Sequence, residues 1–427
     1  MAYSLLAFAD VMKNIFGVVL AVIILLAMVT IHEFGHYLVG RWLGFKINEF
    51  SVGFGPALYK KRSKKTGEIF ALRVIPLGGY CAFDGEDEEE TPKDVKTAPE
   101  EPFAEEFSSD ATMETEQKTE NGGSRVASTE EEEYPEPKGV RFNDQPPWKR
   151  ILVLIAGATM NYLLALLLII VMFAGFGRPM YETVKKEPGE DADAHAVQTY
   201  EEGLQNGDVI LEINGKKMYL ITDYIKVLDG KKKGDTVQVL VLRGEKQETV
   251  DLVLAEDADF VNSSDTGTLI FSMGLASRGE VDGKIETTRG GGLHSYSIRE
   301  GFFETIGNSV VYSFKMGGVI LRTLGELLTG KLGLEAMGGP ITTISVTAQV
   351  ATSGVTSFLN MAALIGVNLA VFNLLPIPAL DGCKVIFCLI EWIRKKPVNR
   401  KVEAIIHFIG IIFLFGFAIL VDLLQLF

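Results

Sequence analysis

Five consecutive residues from His32 to His36 carry two histidines and a glutamate at a spacing that suits a metal ion. On a helix, His32 and His36 lie four residues apart and project from one face, where both can bind the same ion. Glu33 lies beside that face and can take a proton from an attacking water molecule. A metal in such a site activates water and polarises a peptide carbonyl. The pattern therefore predicts a hydrolase, but five residues also occur together by chance.

The surroundings of this pattern strengthen the prediction. Four segments are apolar and long enough to cross a bilayer, which needs about 20 residues per helix. Ionisable residues inside such a segment are costly, and they usually serve a function. The four segments cover about residues 16–39, 151–176, 358–375 and 402–426. Because His32, Glu33 and His36 interrupt the first of them, we interpret it as a spanning helix rather than as a cleaved signal peptide.

Asp381 is the best candidate for a third metal ligand. A catalytic zinc site usually has three protein ligands and one open position. Asp381 directly follows the third apolar segment, after Pro376 and Pro378 break the helix. The first and third segments end on the same side of the membrane, so the three side chains can converge. The alternative is that Asp381 merely caps a helix after the proline break.

Lysine and arginine residues predict the orientation in the membrane. They cluster between Arg41 and Arg73, at Lys149 and Arg150, and between Lys384 and Lys401. Because loops rich in these residues face the cytoplasm, we expect the site on the cytoplasmic side and residues 178–350 outside.

The stretches between the apolar segments differ in composition. Residues 44–83 read as a β-hairpin with a basic turn, and residues 179–257 as a small β-rich domain with an exposed edge. Between Asp84 and Glu136 lie 20 acidic and 4 basic residues, which accounts for the net charge of −14. We expect residues 84–147 to be disordered, because they lack an apolar pattern. Residues 301–328 repeat apolar positions at helical spacing, which predicts a helix at the membrane.

Other function classes find little support in the composition. Nucleic-acid binding is not expected, because no basic face with interleaved aromatic residues is present. The three cysteines are too few and too scattered for a disulfide framework.

Taken in order, these motifs resemble the site-2 protease family of intramembrane zinc metalloproteases, in its bacterial branch with an extracytoplasmic PDZ domain. The resemblance covers most of the chain and rests on five stretches. These are the His32–His36 pattern, Glu49–Pro56, Pro76–Tyr80, Gly203–Gly215 and Asn373–Gly382.

The resemblance implies roles for individual residues. It implies that His32, His36 and Asp381 bind Zn²⁺ and that Glu33 is the general base, although this ligand set also suits other divalent ions. It further implies that Asn373 and Pro376 help to hold the unwound substrate. The hairpin would pair with substrate as an added strand, which satisfies backbone groups freed when the substrate helix unwinds.

Three features depart from the family pattern. Ala158 stands where the family usually has proline, although Asn161 nearby is kept and could lie close to the site or form an interhelical hydrogen bond. Cys383 stands where a second glycine is common. The acidic insert at 84–147 has no obvious counterpart, and a solvated spacer is its simplest interpretation.

The predicted fold is a polytopic α-helical membrane protein with about four transmembrane helices, a membrane-associated β-hairpin and an extracytoplasmic PDZ-like β-rich domain. The predicted parts are a first transmembrane helix with the His-Glu pattern (1–43), the β element (44–83), the acidic insert (84–147), a second transmembrane helix (148–178), the PDZ-like domain (179–257), a linker with a membrane-surface helix (258–350), a third transmembrane helix with the Asp motif (351–400) and a fourth transmembrane helix (401–427).

We therefore predict a zinc endopeptidase of the bacterial cytoplasmic membrane that cleaves single-span membrane proteins in the lipid bilayer. Anti-sigma factors and signal-peptide remnants are the substrate classes that the resemblance implies, with an upstream extracytoplasmic protease as a further partner. The PDZ-like domain would gate substrate access. The alternative is a non-catalytic membrane-anchored PDZ adaptor, which has no reason to keep costly polar groups in a bilayer. A transporter is less favoured, because the two halves of the chain show no inverted repeat.

Overall fold

The computed structural model describes residues 2–86, 134–185, 203–276, 278–281, 284–287, 291–334 and 337–425. The helices in this part of the chain are α1 (Ala2–Trp42), α2 (Pro147–Phe176), α3 (Ile221–Leu228), α4 (Thr266–Ser272), α5 (Phe302–Leu328), α6 (Pro340–Ala351), α7 (Val355–Asn373), α8 (Asp381–Arg394) and α9 (Arg400–Leu424). The strands are β1 (Ile47–Arg62), β2 (Ile69–Phe83), β3 (Arg178–Val184), β4 (Val209–Ile213), β5 (Lys216–Lys217), β6 (Thr236–Arg243), β7 (Lys246–Val253), β8 (Arg278–Val281), β9 (Lys284–Thr287) and β10 (Gly292–Ile298).

Four of the described helices are long and apolar enough to cross a membrane. They are α1 from Val11 onwards, α2, α7 and α9, and they coincide with the four predicted segments to within a few residues. Small residues let three of them pack closely, as membrane helices commonly do. A Cβ atom at Gly35 would lie 2.5 Å from the Ala156 carbonyl oxygen, so α1 and α2 touch backbone to backbone. A Cβ atom at Gly366 of α7 would lie 3.0 Å from Cβ of Ala165, so α7 also approaches α2 closely.

The predicted hairpin is present, and its strands pair twice. Glu49 of β1 lies opposite Ala82 on one side and opposite Ile69 on the other. The two bent strands therefore form four adjoining segments, in which residues 79–83 and 57–62 are the outer ones. The 79–83 segment lies beside α1, where Phe83 fills the space left by Gly40.

The β-rich domain is built on a sheet with strand order β10-β3-β4-β6-β7, and β5 pairs with β4. Its core is closed by α3, whose Tyr224, Ile225 and Leu228 are fully buried. The last strand, β10, pairs along its whole length with β3, more than 100 positions earlier in the chain. The sheet is therefore completed by a strand that lies beyond the predicted boundary at residue 257.

The β-rich domain shares an apolar cluster with the spanning helices. Tyr219 of the domain belongs to it together with Phe173 of α2, Tyr312 of α5 and Val367 of α7. Helix α5, which matches the helix predicted over residues 301–328, connects the two parts. Its Lys315 forms an ion pair with Asp223 at 2.5 Å.

Some elements differ from the sequence predictions. Helix α8 covers residues 381–394, which were expected as a loop. Its buried Cys388 and Glu391 give it a face that packs against α2. The short helix α6 was not predicted, and its N-terminus is capped from α9 by Asp422, which accepts the backbone N–H of Ile341 at 3.0 Å. Of the acidic stretch expected to be disordered, residues 87–133 lie outside the described residues. Its end does pack, since Val140 bridges to Phe45.

Candidate metal centre

The centre begins with the two histidines of α1. Helical spacing places them one turn apart, and both rings are buried. Their Nε2 atoms lie 3.1 Å from each other, and the rings meet edge to face. Both Nε2 atoms therefore point into one small space.

Asp381 reaches this space from α8, 349 positions along the chain from His32. Its Oδ2 atom lies 2.9 Å from Nε2 of His32 and 3.3 Å from Nε2 of His36. Among the described residues, these three form the group whose donor atoms all lie within 4.8 Å of one another. The structure thus brings together all three residues that the sequence predicted as ligands.

The loop before Asp381 is held from α9. Ala379 has a φ of +80°, a backbone conformation that costs energy for a residue with a side chain. Its N–H donates to Nδ1 of His407 at 3.1 Å, and Gly410 of α9 leaves room for Pro378. These contacts compensate for the strain and fix the start of α8, where Asp381 is the first helical residue.

Helix α2 forms the wall behind the two imidazoles. A Cβ atom at Gly157 would lie 2.7 Å from Cε1 of both histidines, so only glycine leaves room for the rings. The Val153 carbonyl accepts a hydrogen bond from Nδ1 of His36 at 2.8 Å, which leaves Nε2 as the unprotonated atom. Metal-binding histidines are commonly oriented by such a bond from their other nitrogen.

Asn161 of α2 lies against the other histidine, His32. Its Nδ2 atom is 3.4 Å from Nδ1 of His32, while its Oδ1 atom is buried without a hydrogen-bond partner. Half a turn of the amide brings Oδ1 to Nδ1 of His32, where it can accept that N–H and leave Nε2 to face the ion. The orphaned oxygen is therefore explained if His32 binds a metal through Nε2.

The donor set fits a divalent metal. Two imidazole nitrogens and one carboxylate oxygen are the kind of three-ligand set that catalytic zinc uses. As a ligand, the Asp381 carboxyl must be ionised and both imidazoles must be neutral.

Glu33 lies between the histidines and the hairpin and is half-buried. The backbone of Cys81 faces its carboxylate. A Cβ atom at Gly79 would lie 3.2 Å from Cγ of Glu33, so the 79–81 segment passes close beside it. The hairpin is therefore one wall of the centre.

The two residues predicted to hold substrate lie at the end of α7. Asn373 is its last residue and is half-buried, whereas Pro376 is exposed in the following loop. Neither is hydrogen-bonded through its side chain to the three convergent residues, so their role stays a prediction.

Sequence reasoning missed several residues of the centre. Gly157 was visible in the sequence, but its role depends on how closely α2 approaches α1, which no local pattern reveals. Val153 and Cys81 act through backbone atoms, which leave no signal in residue type. His407 lies in the fourth apolar segment, and the structure shows that it supports the loop of Asp381.

Comparisons with known proteins agree with this geometry. The model of peptidase family M50 matches residues 20–417. The chain is 28% identical to the regulator of sigma-W protease RasP of Bacillus subtilis, over 93% of this chain and 95% of that protein. It is 27% identical to the zinc metalloprotease RasP of Bacillus licheniformis, over 93% and 95%. It is 26% identical to the zinc metalloprotease RasP of Geobacillus kaustophilus, over 90% and 91%.

Proposed function

The chain belongs to peptidase family M50 and is a membrane zinc metalloprotease, and on that premise we propose that it cleaves peptide bonds within or beside the spanning helices of other membrane proteins. The convergence of His32, His36 and Asp381 within 4.8 Å, beside Glu33, is the observation that carries this proposal. Membership of a metalloprotease family removes the basis for the non-catalytic adaptor.

In this proposal each residue has one task. His32, His36 and Asp381 hold the zinc ion, with Gly157 leaving room for the two rings. Zinc supplies a Lewis acid that polarises the scissile carbonyl and makes water a nucleophile near neutral pH. Glu33 takes the proton from the attacking water and returns it to the leaving amine.

The experiment compares wild type with Glu33→Gln in detergent. Bound zinc is measured by elemental analysis, and cleavage is measured on a panel of single-span reporter proteins. We expect about one zinc per chain in both, and cleavage by wild type only. His294→Gln is the matched control, because His294 is exposed on β10, outside the centre, and this variant should cut like wild type. Equal cleavage by Glu33→Gln would refute the role of Glu33.

Substrates of this kind would be single-span proteins in the bilayer. The name of the Bacillus subtilis relative refers to regulation of sigma-W. We therefore extend the proposal to membrane-bound regulators such as anti-sigma factors, together with signal-peptide remnants, as classes to include in the reporter panel.

The proposed orientation puts the metal centre toward the cytoplasm and the β-rich domain outside. It is supported by basic residues at the ends of α1, α2 and α9 that lie opposite this domain. Because all three native cysteines are buried, introduced cysteines can report the topology. A membrane-impermeant maleimide should label His294→Cys on intact cells and leave Lys396→Cys unlabelled. The reverse pattern would invert the orientation.

The β-rich domain is proposed to be PDZ-like and to gate access of substrates. Its support is the apolar cluster that Tyr219 shares with the spanning helices, and the Tyr219 ring also has the cations of Arg178 and Lys315 at 5.0 and 5.1 Å from its centroid. Lys315→Met should weaken this contact and raise cleavage of substrates with an untrimmed outer domain. Lys226→Met, an exposed residue of the same domain, is the control. An unchanged preference for trimmed substrates would argue against a gate.

The hairpin is proposed to receive the substrate as an added strand at the 79–83 segment, and Asn373 and Pro376 to hold it from the opposite side. The proximity of this segment to Glu33 supports the first part. Substituting proline for Cys81 removes the backbone donor of that segment and should abolish cleavage while zinc stays bound.

A further inference from the structure

A single arginine ties together separate stretches of the hairpin. Arg73 donates hydrogen bonds to four acceptors that belong to three stretches of the hairpin, two in β1 and one near the end of β2. These acceptors are Glu49 Oε1 at 2.6 Å, Tyr80 Oη at 2.7 Å, Ser51 Oγ at 2.9 Å and the Gly55 carbonyl at 2.7 Å. Tyr80 Oη in turn donates to Glu49 Oε1 at 2.7 Å. Arg73, Glu49 and Tyr80 are named the hairpin triad below.

The hairpin triad is mostly removed from solvent. The Arg73 and Glu49 side chains are 19% and 13% exposed, and Ser51 is fully buried. Charges held in such a place are costly unless they are paired and hydrogen-bonded. Their presence is explained if they fix the register of the hairpin, which backbone pairing alone specifies weakly.

Backbone pairing alone specifies the register of this hairpin weakly. The pairing between β1 and β2 shifts repeatedly along its length. Gly53 and Gly78 adopt positive φ values, and glycine-rich strands are prone to slip in register. The hairpin triad adds side-chain bonds that only one register satisfies, because Tyr80 must meet Arg73 and Glu49 together.

The register matters because Tyr80 lies between the two residues that face the base. The backbone of Cys81 faces Glu33, and a Cβ atom at Gly79 would lie 3.2 Å from Cγ of the same side chain. Backbone groups alternate in direction along a strand, so Gly79 and Cys81 share one direction and Tyr80 has the opposite one. A slip of one residue would move this edge by about 3.3 Å and exchange the two sets.

We propose that the hairpin triad is a positioning set that fixes the 79–81 segment against Glu33 and thereby selects which peptide bond of the substrate is cut. The inference rests on the proposed function, in which the substrate pairs with this segment. If the segment slips, the paired substrate shifts with it, and a neighbouring peptide bond meets Glu33.

The test maps the ends of the cleavage products by mass spectrometry, using wild type, Tyr80→Phe and Arg73→Gln with one single-span reporter. Wild type should give one main cut. The share of product cut at neighbouring bonds should rise about tenfold or more in both variants, as expected from losing a charge-assisted hydrogen bond. Bound zinc should be unchanged.

Two variants serve as safeguards. Arg62→Gln removes another arginine of the same hairpin, one that contacts the Gly67 carbonyl in the turn, and it should keep the wild-type cut. Tyr80→Phe removes only a hydroxyl group, so it stays informative if Arg73→Gln fails to fold.

The outcomes separate the two ideas. If wild type cuts and both variants cut only at the wild-type bond, at whatever rate, the hairpin triad is merely structural and the inference is wrong while the proposed function stands. If wild type cuts none of the reporters, the proposed function fails and this inference fails with it.

Discussion

Replacing Gly157 with alanine should remove most of the zinc affinity without weakening helix α2. The added Cβ atom would lie 2.7 Å from Cε1 of His32 and of His36, whereas ordinary contact begins at 3.4 Å. The His32 ring must then move by about 0.7 Å and the His36 ring by more, because its Nε2 lies closest to the added Cβ atom, or α2 must retreat. Metal–ligand distances vary by only about 0.2 Å in working sites. We therefore expect zinc binding at least about 100-fold weaker, which corresponds to about 2.7 kcal/mol.

The assay is competition for zinc between the detergent-solubilised protein and a chromophoric chelator. Gly175→Ala is the matched control, because it lies on the same helix with no atom within 4 Å of its added Cβ. Both substitutions improve helix propensity by about 1 kcal/mol, so a loss of zinc in Gly157→Ala alone cannot come from the helix itself. Zinc affinity within about threefold of wild type, about 0.7 kcal/mol, would refute the reasoning that α2 fixes the two imidazoles.

Three further predictions concern contacts between elements of the fold. Asp422→Ala removes the cap of α6 and should lower the free energy of unfolding by about 1 kcal/mol, measured by thermal unfolding in detergent; no change would exclude a capping role. Arg150→Met leaves the buried Glu391 carboxylate with Arg400 as its remaining cation and should lower the free energy of unfolding by up to about 3–5 kcal/mol. The double variant with Glu391→Leu should largely restore it; a failure to restore it would indicate that Arg150 acts mainly by packing. Burial raises the pKa of Glu326, but the hydrogen bonds from Ser263 outweigh burial and lower that pKa. The stability that this contact contributes is therefore fully present above about pH 4.5 and is lost as the pH falls through the lowered pKa. Amide hydrogen exchange at Ser263 should accelerate only in acid, and an exchange rate that does not depend on pH after correction for the intrinsic rate would contradict this prediction.

The sequence was most informative about the ligands and the spans. The spacing of His32 and His36 requires a common helical face, and Asp381 could be placed because a proline break follows an apolar segment on the same side. Both are local signals. The three side chains lie together, and the four apolar helices coincide with the predicted segments.

The parts that the sequence did not reveal depend on distant contacts. Strand β10 was invisible in a stretch rich in glycine and serine, because what makes it a strand is its pairing with β3. Helix α8 was taken for a loop, because its charged residues hid a buried face that depends on α2. The close approach of Gly157 to the two histidines follows from the distance between α1 and α2, which residue types alone do not specify.

The contact between α9 and the loop of Asp381 has a consequence for how the protein is made. The loop is held by His407 and Gly410, which follow Asp381 in the chain and lie in helix α9. Until that helix has packed against the loop, Asp381 lacks the support that positions it beside His32 and His36. A growing chain therefore completes its metal centre only after α9 has been made and inserted, so the order of synthesis sets when the centre can form.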